Sequence, residues 1–180
     1  MPRLTPITSG SALPADQQHA ADAVLEVFGH IRGPFSILLH SPELARQLLP
    51  LVTFVRHHNV IEPNVRFAAI LTAARENEAR YVWAAQVEQA RRNGIRESLI
   101  DLVRSRADAS RFEGDERAAV EYVRQLVNRH RVDDATFAAL GDRHDPRWMI
   151  ELTAVASFFG FLSQVCNAME IEPPEGLDRF

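Results

Sequence analysis

The chain has 180 residues, 46% of them hydrophobic and 24% charged, with a net charge of −4. That balance fits a single globular domain with a core of its own, and it offers no positive excess to attract nucleic acid. One cysteine, Cys166, excludes an intrachain disulfide and a CxxC redox pair.

Two further exclusions follow from composition. All basic side chains apart from histidine are arginine, so lysine Schiff-base chemistry and a phosphate-loop lysine are both ruled out. No run is expected to reach the length of a membrane span, and the first ten residues lack the apolar block of a secretory signal. The expected location is cytoplasmic, with neither a membrane nor nucleic acid as partner.

In chain order, nearly every long segment has helical periodicity and none alternates as a strand does. A flexible segment, 1–12, precedes a helical domain over 13–171. The first helix is predicted over Leu13–Ile31, with Ala21, Val24, Leu25 and Phe28 on one stripe and Gly33-Pro34 as its stop. The second opens at Ser41-Pro42-Glu43 and carries Leu44, Leu48, Leu51, Val52 and Val55, with Pro50 expected to kink or divide it. The third runs from Glu62-Pro63 to about Glu78, and the fourth covers Tyr81–Asn93, stopping at Gly94. Shorter helices are predicted at Arg96–Arg104, Asp115–His130 and Asp133–Leu140. The last, Arg147–Glu170, is apolar on most sides and reads as a central or subunit-contact helix. The tail, 172–180, holds Pro173, Pro174 and Gly176 and is expected to be extended. The fold class is all-α, a single-domain helical bundle.

The third and fourth helices hold the candidate site. Phe67, Ile70, Leu71 and Ala74 form one stripe; Ala79, Val82, Trp83, Gln86, Val87 and Ala90 form the facing one. Gln86 is a polar amide on an apolar face. It needs partners, either a neighbouring backbone carbonyl or a ligand. His57-His58 precedes this pair of helices. One of the two is a candidate general base, while a metal role is disfavoured because adjacent histidines lack the i, i+4 spacing of a helical zinc pair.

The stretch Arg66–Gly94 resembles the core helix pair of the carboxymuconolactone decarboxylase and alkyl hydroperoxidase D family. The match runs through Arg66, Ala69-Ile70-Leu71, Ala74-Arg75-Glu76, Tyr81, Trp83, Ala85 and Gly94. Arg32-Gly33-Pro34-Phe35, Ser41-Pro42-Glu43-Leu44, Asp115-Glu116-Arg117 and the Pro-Pro-x-Gly tail extend the resemblance to that family's longer members. The resemblance implies an alkyl hydroperoxidase D-like bundle and a homo-oligomer, commonly a trimer or hexamer. Hydroperoxidase members use a glutamate, two cysteines and a histidine. Here those positions hold Phe67, Ala79, Val82 and Gln86, so thiol-based peroxide reduction at this site is excluded.

The resemblance then implies a cofactor-independent lyase or isomerase acting on a small organic acid or lactone. Gln86, His57 and His58 are its candidate catalytic residues, and Phe67, Val82, Ala79, Arg66 and Tyr81 its candidate substrate contacts. The alternative is a non-catalytic ligand-binding or scaffolding member of the same family. Neither reading calls for a cofactor or a metal.

Overall fold

The computed structural model describes residues 2–180; Met1, the first residue of the N-terminal segment expected to be flexible, lies outside them. Every regular element among the described residues is helical. The chain forms two compact units. One ends at Asn59 and includes Val165–Glu172; the other comprises Val60–Gln164 and Pro173–Phe180.

In the first unit, α1 (Gln18–Phe28) follows a 3-10 turn and packs on α3 (Pro42–Thr53). It is shorter than predicted because Gly29 turns left-handed (φ 72°) and donates its N–H to Leu25 O at 2.7 Å. Gly33-Pro34 is not only a stop. Pro34 opens α2 (Pro34–Leu38), since proline fits the first helical position. The N-terminal segment is tied down by Ile7 N–H to Ser36 O (2.8 Å) and Arg3 N–H to Met169 O (3.0 Å).

The buried face of α3 is rotated from the predicted stripe. Ala45, Leu49 and Val52 are inside, whereas Leu44 and Leu51 are 45% and 41% exposed. Pro50 does not divide the helix, which continues to Thr53 and then widens into a π-turn, Phe54–His58. A proline without an N–H leaves the ladder short of a donor. The Asn59 amide serves the widened end by donating to Val55 O at 2.9 Å.

In the second unit, α4 (Pro63–Glu76) is the central helix, with Val65 and Phe67–Ala74 all buried. It packs on α5 (Arg80–Arg92), α6 (Glu97–Arg104) and α7 (Gly114–Arg129). Glu62 at its N-cap makes no side-chain cap bond. Such a cap contributes about 1 kcal/mol, less than the roughly 2 kcal/mol from burying one side chain such as Ile70 or Leu71. Packing therefore holds α4.

The turn into α5 is a Schellman motif. Ala79 N–H reaches Ala74 O at 2.9 Å and Glu78 N–H reaches Arg75 O at 3.1 Å, with Glu78 left-handed (φ 52°). The same motif closes α5 at Gly94 (φ 73°), as its glycine predicts. Asp133 caps α8 (Asp134–Gly141) by accepting from Thr136 N–H at 2.8 Å.

The last helix, α9 (Pro146–Ala168), belongs to this unit as far as Gln164. By length and composition α9 would suffice to cross a membrane, which corrects the expectation that no run does so; 56% of its apolar window is buried against protein. Gly160 is not a point of forced approach, because an added Cβ would meet Asn77 Nδ2 at an ordinary 3.8 Å.

Candidate functional site

The α4–α5 hairpin carries six of the eight candidate residues. The tight Schellman turn makes Ala79 both the end of the turn and the N-cap of α5, and Val82 falls at the third position of the first turn. A thiol there would feel the positive end of the helix dipole; Ala79 and Val82 offer it nothing ionisable. Phe67, Ala79 and Val82 are 5%, 0% and 3% exposed, so all three are packed inside. Gln86 lies one turn beyond Val82 on the same face and is half-buried, as is Tyr81.

Arg66, in the opening turns of α4, is half-buried. Its guanidinium carbon stands 5.6 Å from the centroid of the Phe67 ring. Desolvation alone shifts the group, pulling it below the usual arginine range, with no carboxylate acting against the shift. Several other arginines of the unit differ in this. Arg96, Arg104, Arg106 and Arg124 all pair with carboxylates. Glu76 takes Arg106 at 3.6 Å and Arg124 at 3.4 Å, and so ties α4 to α7.

His57 and His58 lie in the first unit, both exposed, at the end of the π-turn, with ring centroids 6.4 Å apart and the rings nearly perpendicular. Arg56 beside them is half-buried over the Phe28 ring at 5.5 Å, and burial lowers its pKa. The six hairpin residues are thus gathered on one element pair of one unit, and the two histidines stand on an element of the other.

Two clusters in the second unit escaped the sequence reading. His144 bonds Asp115 through Nε2 (2.6 Å) and stacks on Trp148 at 3.8 Å with the planes 8° apart. Trp148 in turn donates from Nε1 to Glu62 at 3.2 Å. The second cluster joins Trp83, Arg91 and Arg104 to Asp178 of the tail. Neither has a local signal, because its members come from segments far apart in sequence.

Neither a protein-family model nor a curated protein matches the chain. Solved structures do. The alkylhydroperoxidase AhpD core protein of Ralstonia eutropha JMP134, described as peroxidase-related and uncharacterised, superposes with a TM-score of 0.74 at 20% identity, over 96% of this chain and 95% of that one. A complex of a variant of the debrominase Bmp8 with 2,3,4-tribromopyrrole gives 0.75 at 16% identity, over 97% and 95%. A peroxidase-related protein of Silicibacter sp. TM1040 gives 0.73 at 13%, over 97% and 90%. The fold is therefore the all-α fold of the alkylhydroperoxidase AhpD type.

Proposed function

We propose that the α4–α5 hairpin binds a small organic acid or lactone and acts on it without a cofactor, as a lyase or isomerase like carboxymuconolactone decarboxylase. The observation that carries this reading is Arg66, a half-buried guanidinium 5.6 Å from the Phe67 ring centroid that forms no ion pair among the described residues. A planar fork of this kind suits a substrate carboxylate. Gln86 has no pKa for proton transfer, but its amide N–H can donate to a lactone carbonyl as negative charge develops on the oxygen. The hairpin thus orients and polarises, and solvent supplies the proton. A debrominase of the same fold with a small heteroaromatic ligand is consistent with small-molecule binding on this scaffold. The same reading includes self-association into a trimer or hexamer and residence in the cytoplasm.

A second reading, ligand binding without turnover, is favoured by Phe67, Ala79 and Val82, three buried apolar side chains where proton or thiol chemistry would need polar ones.

Ligand-observed NMR against a panel of unsaturated lactone acids, followed over hours, tests both. At least one acid binds the unaltered chain and binds Arg66→Gln about tenfold more weakly, and Gln86→Leu slows its conversion more than it weakens binding. Binding with no conversion selects the second reading. Equal binding by Arg66→Gln removes the hairpin as the acid site.

A further inference from the structure

Between Glu151 and Glu170 the chain has no charged residue, so the outward face of α9 is as uncharged as its buried one. A row of side chains along that face, Ile150, Ala154, Ser157, Phe161 and Gln164, stands four, three, four and three residues apart. This is the repeat by which two helices interlock. Ser157, Phe161 and Gln164 are exposed and Ala154 is half-buried; Ile150, at 69%, is the most exposed large apolar side chain described. A helix face left to water normally carries charges, as α5 does with Glu88, Arg91 and Arg92. Phe161 rests against the buried Phe158 ring, centroids 6.2 Å apart, which restricts it before any association.

We propose that this row is the contact between α9 of one copy of the chain and α9 of a second copy, running antiparallel about a two-fold axis level with Phe159. The size pattern selects that arrangement. In it Ala154 faces Gln164 of the second copy and Ser157 faces Phe161 of the second copy, so each layer sets a small side chain against a large one, and the two-fold repeats both layers. Helices packed at a constant distance of about 8–10 Å need layers of similar volume. A parallel pair sets Phe161 on Phe161 and Ala154 on Ala154, one layer crowded and another empty. An antiparallel pair shifted by seven residues sets Ile150 on Phe161 and Ala154 on Ser157, with the same fault. The contact also buries no ion unpaired, because the row has none. Lipid fits the face less well, since interfacial helices carry basic residues beside their apolar face and none lies within 152–169. This inference rests on the self-association included in the reading above and is independent of the chemistry proposed there. A two-fold contact gives an even number of subunits, and so selects the hexamer over the trimer.

Sedimentation equilibrium should give the unaltered chain a mass that is an even multiple of 20.3 kDa. Phe161→Glu, which sets a like charge twice into each two-fold contact, should weaken self-association at least tenfold while leaving the circular dichroism of the chain unchanged. A chain with Ala154→Cys and another with Gln164→Cys, mixed under mild oxidation, should form the mixed disulfide, and neither should couple to itself; Cys166 is buried and does not compete. Full-strength association of Phe161→Glu, or a trimeric mass, leaves self-association standing and overturns α9 as its two-fold contact. Self-coupling of either cysteine variant without the mixed disulfide overturns the antiparallel register. A chain that stays monomeric at every concentration removes both the contact and the self-association, and its flotation with phosphatidylcholine vesicles would assign the face to lipid instead.

Discussion

Arg96 and Glu116 meet fork to fork, Nη1 to Oε1 at 2.6 Å and Nη2 to Oε2 at 2.5 Å, and so tie the start of α6 to the first turn of α7. Glu116 is 5% exposed, and among the described residues Arg96 is the guanidinium that compensates its carboxylate. Removing the arginine leaves a buried charge unpaired, which is worse than removing both partners. Arg96→Met should destabilise the chain by about 2–3 kcal/mol, and the double change Arg96→Met with Glu116→Leu by less. Urea denaturation of the two variants checks the order; a double variant weaker than the single one contradicts it.

The tail clasp has a pH signature. Burial opposes ionisation of Asp178, but the bonds from Trp83, Arg104 and Arg91 outweigh it and hold the carboxyl below the usual aspartate range. A depressed folded pKa adds stability that is fully present above the unfolded value, about 3.9, and is lost as pH falls through the folded value. Stability should therefore drop more steeply on acidification below about pH 4 in the unaltered chain than in Asp178→Asn. Melting temperatures between pH 3 and 6 decide it, and parallel curves for the two proteins would dismiss the clasp as a stabilising element.

Cys166 is buried and its thiol is pushed up to about 12 by desolvation. Thiolate is the reactive form, so the native chain should resist a thiol reagent at neutral pH and react fully once unfolded in guanidinium. Rapid labelling of the folded chain would refute the assignment of Cys166 to the core.

Phe67, on the central helix α4, is 5% exposed. Phe67→Ala should destabilise by roughly 3 kcal/mol, the lower part of the range for a buried aromatic truncation. A change below about 1 kcal/mol in denaturation would mean that the ring is not part of the core.

Much of this was legible from local pattern. Pro42, Pro63 and Gly94 mark helix ends because proline restricts φ and glycine tolerates the left-handed cap, properties each residue carries alone. The Glu78 turn was not marked, since the left-handed position there holds a residue that rarely adopts it. On α3 the leucines at 44, 48, 49 and 51 serve two registers equally, so periodicity could not choose the inward face. The candidate residues on the hairpin are close in sequence, but whether each is buried or open depends on α6 and α7 packing over α4.

The sequence by itself determined an all-helical chain and the chemistry it lacks: no lysine, no second cysteine, and no acid or thiol at positions 67, 79 and 82. Those are facts of residue type and short-range spacing. Only the tertiary structure decided that Arg66 forms no ion pair among the described residues, that Glu116 meets Arg96, and that Arg104 closes on Asp178 across 74 positions. Pairing and desolvation are set by which distant segments exclude water from a group, and no local pattern encodes that.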